Sequence, residues 1–472
     1  MTMHSNQSLG GGRTFAAPTP AGVKGLPLVT GAFFFTIALI GLCSFLSVES
    51  LRYWLPLVYA VDYILLSWLF VLRFGTIYAL LRPTGIAISY FNISFVLGAW
   101  TFGQDKILNG AMVWGYESWS YLHAIVGFFL LSNWVLYIAA VAGGEVRRNL
   151  KIDERRRPFS HSILFIICNS VVLLVLLAIE VPYVGVIRPI VALSIGYALI
   201  VRGGKFRWAA LALLIVVLAA FSENDKRNAI FLVLPFFWLD YALVQKRGIT
   251  AKVFLGGLLA AAGLFYLIVA MSIMRGYGQY NPANFFEALS YVPDYMLNSY
   301  ALSYFASNFE YGTVFFHSHN ALNLIFQDSS LLAYGESLLK ALFVGVPQSL
   351  FGYKPASILD LYTGTWDPGF RSVGGSFPII VSAEMFWNFS WLGLIPLFLF
   401  MVLADRFYAY VTYHVRGWRT ARVVLIMAAL LFYLMYVRGS GLDIFVAYML
   451  IAVVVTNCVV RPMDWLRRNI VS

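Results

Sequence analysis

Runs of mostly apolar residues, separated by short polar connections, make up most of the chain. A helix of about 20 apolar residues crosses the hydrocarbon core of a bilayer. The pattern therefore predicts an all-α polytopic membrane protein with about 12 transmembrane helices. We place these spans at residues 26–46, 54–72, 83–101, 118–141, 160–179, 183–201, 208–221, 229–245, 253–271, 385–404, 423–437 and 442–460.

Composition agrees with this pattern. Hydrophobic residues make up 60% of the chain and charged residues only 12%, whereas soluble domains average about 25% charged residues. The net charge of +11 does not indicate nucleic-acid binding, because the basic residues gather in every second connection, as the positive-inside rule requires. These clusters lie at residues 73–82, 147–157, 202–207, 246–252, 406–422 and 461–468. They predict cytoplasmic N- and C-termini and an external segment after the ninth span.

The spans divide the chain into five parts. We predict a disordered cytoplasmic tail at 1–25, nine spans within 26–271, an external segment at 272–378, three spans within 379–460 and a cytoplasmic tail at 461–472. The external segment contains apolar stretches at helical spacing, which predict amphipathic or interfacial helices lying over the spans. These stretches are 285–297, 301–309 and 331–346, and an irregular ordered loop is predicted at 351–378.

Three arginines fall at span ends that the predicted topology places outside. They are Arg227, Arg275 and Arg438. Because the positive-inside rule disfavours arginine there, we expect a function for them, and a planar guanidinium suits phosphate. The alternatives are pairing of Arg227 with Glu223 or Asp225, pairing of Arg438 with Asp443, and simple anchoring at the bilayer surface.

The external segment carries two further cations. Lys354 follows Tyr353 in a proline-bounded loop, and Arg371 lies among glycines that let backbone N–H groups approach an anion. Both cations, together with Tyr353, are candidate substrate-binding residues. The alternative for Arg371 is an ordinary ion pair with Asp360 or Asp367.

Two more groups could take part in chemistry. His317 and His319 form a His-x-His pair, but a third and fourth metal ligand at recognised spacing are missing, so no metal site is predicted. Either histidine could act as a general base, bind a sugar hydroxyl or be purely structural. Glu384 and Asn388 share a helix face, and Glu384 could pair with an arginine or accept a proton from an attacking hydroxyl.

Several sequence motifs of known enzymes and pumps are missing from the chain. The chain contains no Walker loop, nucleophile elbow, HExxH helix or dinucleotide fingerprint. This disfavours an ATP-driven pump or a hydrolase of known pattern. The sequence also shows no internal repeat and no inverted pair of broken helices, which weakens the hypothesis of a secondary transporter.

The order of these motifs resembles that of the Wzy-type O-antigen polymerases, over about residues 200–460. The shared features are Arg227 at the start of a span, Arg275-Gly276 opening a long external loop, Pro347 with Lys354-Pro355, Glu384 followed by Asn388-Phe389-Ser390-Trp391-Leu392-Gly393, and Arg438-Gly439 before the last span. The sequence departs from the pattern at Ser390, where glycine is expected.

The resemblance implies a GT-C-like glycosyltransferase of the bacterial inner membrane with a periplasmic active site and no cofactor. Its donor would be an oligosaccharide on undecaprenyl diphosphate, and its acceptor a second lipid-linked unit. A chain-length regulator protein is a candidate partner. The expected catalytic residues are Arg227, Arg275, Arg438, Glu384 and His319, and the expected substrate-binding residues are Lys354, Arg371, His317, Tyr353 and Asn388.

Three other functions stay open. An O-antigen ligase uses the same donor with a lipid A core acceptor, and the pair His319-Asn320 also resembles that group. A flippase or exporter of lipid-linked glycans would use the arginines to line a passage, and it should carry charges deep within several spans. The third alternative is a non-catalytic subunit of a membrane assembly.

Overall fold

The computed structural model describes residues 26–74, 80–103, 119–144, 163–178, 184–202, 207–221, 231–239, 251–274, 280–298, 310–346, 350, 353–414 and 420–462. Within these ranges the chain is helical and forms no strand. Helices are numbered here along the described residues.

The first nine helices follow the first nine predicted spans. They are α1 Leu26–Phe45, α2 Val48–Phe74, α3 Pro83–Gly103, α4 Leu122–Gly143, α5 Ile163–Ala178, α6 Val184–Arg202, α7 Arg207–Phe221, α8 Val233–Leu239 and α9 Ala251–Met274. The segment after α9 forms α10 Phe285–Leu297, α11 Glu310–Gln327, α12 Glu336–Leu339, α13 Ile358–Trp366 and α14 Pro368–Ser372. The C-terminal part forms α15 Val381–Phe389, α16 Leu394–His414, α17 Thr420–Met435 and α18 Leu442–Val455.

Six helical stretches in the described ranges are long and apolar enough to cross a membrane. They are Pro27–Phe45, Val48–Phe74, Leu122–Gly143, Val381–Tyr410, Thr420–Ser440 and Leu442–Val460. Every predicted span overlaps a described helix. The helical structure and the long apolar helices agree with the predicted membrane protein. The number of spans that cross the bilayer stays a prediction.

A central group of helices forms the hydrophobic core. Helices α2, α3 and α4 pack against one another, and α16 packs against α3 and α4. The aromatic side chains between them, among them Phe95, Phe128 and Phe129, are fully buried. On the other side of this group, α17 packs against α6 and α18. Helices α9 and α10 form a separate apolar cluster.

The segment between α9 and α15 differs from its prediction. Residues 285–297 form the predicted helix α10, and 301–309 lie outside the described residues. The stretch 331–346 is not one helix, because the chain turns at Gly335 with φ +92° before α12. The predicted irregular loop at 351–378 is also wrong, since it contains α13 and α14. Side-chain caps start both helices: Ser357 and Asp360 form a capping box on α13, and Asp367 caps α14.

Helix α11 is the largest departure from the prediction. It does not lie over the spans: it packs along α3 and also contacts α4 and α15, with residues 314–323 fully buried. The stretch 314–323 is buried on every face, and its polar side chains, such as Asn320, reach partners on other helices. An apolar period therefore could not reveal it, because amphipathicity marks only helices with one solvated face.

The predicted tenth span is broken near its start. Helix α15 ends at Phe389, and the next residue, Ser390, has a φ of +52° and a ψ of −138°, a region that glycine adopts without strain. This is the position at which the resembling family is expected to have glycine. The tight turn brings Gly393 so close that a Cβ there would lie 2.3 Å from the Met385 carbonyl oxygen.

Ser390→Gly should therefore stabilise the protein. A non-glycine residue in such a region costs about 1–3 kcal/mol, and glycine's extra unfolded-state entropy cancels about 0.4–1 kcal/mol of the gain. Thermal unfolding in detergent should show a higher midpoint for the variant. Ser44→Gly, inside α1, is the matched control and should lower the midpoint, because glycine weakens a regular helix by about 0.5–1 kcal/mol. An unchanged or lower midpoint for Ser390→Gly would contradict the strain at this turn.

Candidate functional site

Glu384 lies at the centre of a buried hydrogen-bond network on α15. The Ser337 hydroxyl donates to Glu384 Oε1 at 3.0 Å, and the backbone N–H of Leu442 also bonds to this carboxylate. Asn388, one turn later, donates to Ser337 Oγ and to the Glu384 carbonyl, both at 2.8 Å, and accepts from the Gly335 N–H at 3.0 Å. We call Glu384, Asn388, Ser337 and Gly335 the Glu384 network. The predicted shared face of Glu384 and Asn388 is confirmed.

The network meets a break between α17 and α18, two helices that are long and apolar enough to cross a membrane. Helix α17 ends in a π-helical turn, Tyr436–Ser440, and Gly439 and Gly441 then adopt φ values of +116° and +87°. The segment that enters α15 lies against this break, and a Cβ on Gly439 would lie 2.2 Å from the Ile379 carbonyl oxygen. Irregular backbone at membrane depth is tolerated where it is buried in protein or lines a cavity.

Other polar groups surround Glu384. Tyr436 and Asp443 lie close enough to interact with it electrostatically, and Lys340 lies similarly close to Asp443. Within the part of the chain that the structure describes, Tyr436 Oη, Ser440 Oγ and Asp443 Oδ1 are buried without a hydrogen-bond partner. Buried polar atoms usually have a partner, so these three could bind water or a hydroxyl-rich ligand.

The structure describes three of the five predicted cations: Arg371, Lys354 and Arg438. Arg371 forms an ion pair with Asp360 and donates to the Gly375 carbonyl at 3.1 Å, which is the ordinary pairing considered above. Lys354 Nζ donates to the Val346 carbonyl at 3.1 Å. Arg438 is only 6% exposed, within the π-helical turn. Arg227 and Arg275 lie outside the described residues.

Asp360 keeps its charge in this pair. Burial alone would raise the pKa of Asp360, but hydrogen bonds from Ser357 and the positive charge of Arg371 outweigh it and leave the pKa below its ordinary value. The carboxylate of Asp360 is also near Asp443. The pair of Arg371 and Asp360 therefore forms one charged edge of the site.

Tyr353 is on the surface, with 70% of the residue exposed. Its hydroxyl donates to the carboxylate of Glu336, which also accepts from the Ala356 N–H at 2.9 Å. Tyr334, with φ +46°, presents a second exposed ring two residues before Glu336. Glu336 precedes Ser337, so both rings belong to the segment that reaches the Glu384 network. Their flat faces are suited to stacking on a sugar.

His319 is held in an aromatic cage away from the Glu384 network. Its Nδ1 lies 2.8 Å from the Phe315 carbonyl oxygen and its Nε2 lies 2.7 Å from the Tyr59 hydroxyl. Since a carbonyl only accepts, Nδ1 carries the proton and Nε2 accepts from Tyr59. Trp119 stacks on the ring at 5.5 Å. Burial lowers the pKa of His319 to about 3, so the imidazole is neutral and both nitrogens are engaged. This geometry favours the structural alternative for His319.

His317 points to a different set of residues. Its Nδ1 lies 2.7 Å from the Tyr362 hydroxyl, which also accepts from Asn320 Nδ2 at 3.2 Å, and its ring stacks on Phe377 at 4.0 Å. Burial lowers the pKa of His317 well below its ordinary value. Two residues apart on a helix, the histidines face opposite sides. In the described residues no three His, Cys, Asp or Glu side chains are placed to hold a metal ion.

Several residues of the site were missed from the sequence. Ser337, Lys340 and Tyr436 were not singled out, and Asp443 was considered only as a partner of Arg438. Ser337 lies 47 positions before Glu384, and a lone serine after a short apolar stretch carries no recognisable pattern. The only useful signal was glycine: Gly335 and Gly439 mark the turns that bring these residues together.

No protein-family model, curated protein or solved structure matches the chain. The resemblance drawn from the motifs therefore rests on those motifs alone.

Proposed function

We propose that the protein is a membrane glycosyltransferase that joins oligosaccharide units carried on undecaprenyl diphosphate. The observation that carries this proposal is the Glu384 network: a carboxylate, 1% exposed, at a glycine-rich break between spanning helices. Ionisable groups at membrane depth are costly and usually functional. A hydroxyl, that of Ser337, already donates to this carboxylate, which is the contact that an acceptor sugar needs.

The proposed reaction transfers a glycan from diphosphate to a hydroxyl. The acceptor oxygen forms a bond to the anomeric carbon as the bond to the diphosphate oxygen breaks. Glu384 accepts the hydroxyl proton once that hydroxyl replaces Ser337 Oγ. The departing diphosphate gains negative charge, and Arg438 together with Arg227 and Arg275 would stabilise it. Tyr353 would position a sugar ring.

The wider setting belongs to the same proposal. We infer a GT-C-like arrangement of about 12 transmembrane helices in a bacterial inner membrane, with both termini in the cytoplasm and the Glu384 network near the periplasmic face. The basic clusters in alternate connections support this orientation. A polymerase of this kind would work with a chain-length regulator protein.

One observation favours a second function, the transport of lipid-linked glycans. Asp62 is an ionisable group buried in the middle of α2, and an exporter is expected to carry charges deep within several spans. Coupling ions in transporters bind at such positions.

One assay separates these functions. Purified protein is mixed with lipid-diphosphate-linked repeat units alone, with and without a chelator, and products are read as a gel ladder. A ladder in the absence of lipid A core supports the polymerase, and its persistence in chelator shows that no divalent metal is needed. Product only after lipid A core is added identifies a ligase. No product in either case, with movement of the units across proteoliposome membranes, identifies a transporter.

A further inference from the structure

Asp62 lies where three long helices meet at mid-length. It is near the middle of α2 and 1% exposed, and the Asn92 and Asn133 side chains that lie with it are near the middle of α3 and α4. Because α2 and α4 are among the helices long and apolar enough to cross a membrane, this level corresponds to the interior of the bilayer. None of the three residues is among the candidates predicted from the sequence.

The hydrogen bonds around Asp62 are few. Asn133 Nδ2 donates to Asp62 Oδ2 at 2.8 Å and to Asn92 Oδ1 at 3.1 Å, while Asn92 Nδ2 donates to the Ile88 carbonyl at 2.9 Å. Asp62 Oδ1 has no hydrogen-bond partner among the described residues. A single neutral amide is thus the only described donor to this carboxyl group.

No described cation offsets a charge on Asp62. Helices α1, α3 and α4, which pack against α2, contain no Asp, Glu, Lys or Arg. His319 of α11 contacts Tyr59 of α2, and the histidine ring is neutral there. The other acidic, basic and imidazole groups of α1 to α4 lie toward helix ends: Glu49, Arg52, Arg73 and His123.

Asp405 shows how the same protein buries an ionised carboxylate. Arg82 Nε lies 2.7 Å from Asp405 Oδ2, and Thr84 donates its N–H to Oδ1 at 3.1 Å and its hydroxyl to Oδ2 at 2.7 Å. Pairing with an opposite charge and hydrogen bonds stabilise a buried charge. Asp405 has the ion pair with Arg82 and two hydrogen bonds from Thr84, whereas Asp62 has one amide donor and no cation among the described residues.

The geometry points to Asp62 as a proton-binding site in the membrane interior, with the proton on Oδ1 in the resting protein. The uncharged acid keeps the bond from Asn133 and removes the need for a counter-ion. Loss of the proton would place a charge between α2, α3 and α4, so proton binding and the packing of these helices are coupled. This site is separate from the Glu384 network and does not depend on glycosyl transfer.

Infrared spectroscopy of the protein in lipid tests the proposal. The wild-type spectrum at neutral pH should contain the carbonyl band of a protonated carboxylic acid, shifted in heavy water, and Asp62→Asn should lose that part of the band. Asp405→Asn is the matched control and should keep it, because Asp405 is ionised. Asp62→Glu should move the band rather than remove it, which covers the case in which the asparagine variant does not fold.

Two results would overturn the proposal. The first is a carboxylic-acid band that is the same in the wild type and in the folded Asp62→Asn protein. The second is a stabilisation of the wild type by sodium chloride but not by choline chloride, when Asp62→Asn shows no such stabilisation. The occupant of the site would then be a sodium ion.

Discussion

Gly439→Ala should unfold the region around the candidate site and abolish glycan transfer. The glycine has φ +116°, and an alanine Cβ would lie 2.2 Å from the oxygen and 2.5 Å from the carbon of the Ile379 carbonyl group. These are backbone atoms of the segment that enters α15, so they cannot turn aside as a side chain could. Left-handed backbone costs a non-glycine residue about 1–3 kcal/mol, and forced overpacking adds about 1–3 kcal/mol more.

The measurement is the thermal unfolding midpoint in detergent, followed by the gel-ladder assay on protein that survives purification. Gly41→Ala is the matched control, because a Cβ at Gly41 in α1 meets no atom within 4 Å. In a regular helix that change should be neutral or stabilise by up to about 1 kcal/mol. Equal midpoints for Gly439→Ala and the wild type would show that the break between α17 and α18 is not built as described.

Glu384→Gln should leave the protein folded and reduce glycan transfer by a factor of about 10²–10⁴, the range for loss of a general base. Glutamine has the same shape, and its carbonyl oxygen can still accept the Ser337 hydroxyl. It cannot take a proton from an acceptor sugar. Glu384→Ala should in addition destabilise, because Ser337 and the Leu442 N–H lose their acceptor, at about 1–3 kcal/mol for each buried group.

The two readouts are the unfolding midpoint and the initial rate of ladder formation per folded molecule. Asp405→Asn is the control that separates an effect on stability from an effect on the rate of glycan transfer. It breaks the buried ion pair with Arg82, so its midpoint should fall while its rate per folded molecule stays near that of the wild type. A wild-type rate for Glu384→Gln would leave Glu384 a purely structural residue and would remove the main support for the proposed function.

The candidate site was only partly predictable. Glu384 and Asn388 were identified because their spacing and their place at a span end are local properties of the sequence. The roles given to Arg227, Arg275, Arg438, Lys354 and His317 stay predictions. Arg371 was a candidate because of the glycines around it, with pairing to Asp360 or Asp367 as the alternative, and its partner in the structure is Asp360, eleven residues earlier. The partner of a side chain such as Arg371, whether neutral or charged, depends on how α13 and α14 pack against each other.

The local pattern of residues was enough to locate the long apolar helices. The length of an apolar run and the position of the basic clusters are read residue by residue, and helices satisfy their own backbone hydrogen bonds in lipid. Helix α10 followed from the same local rules, whereas the expectation of glycine at Ser390 came from the family resemblance.

The tertiary structure alone decided where buried polar side chains find partners. Ser337 with Glu384, Tyr59 with His319, and Asn133 with Asp62 are contacts across 47, 260 and 71 residues. In the sequence, a single polar residue within an apolar run looks the same whether or not its side chain has a hydrogen-bond partner in the folded protein. Only the packing of helices from distant parts of the chain fixes the distance between a polar side chain and its partner. That distance determines whether the side chain forms a structural hydrogen bond, carries a charge or binds a proton.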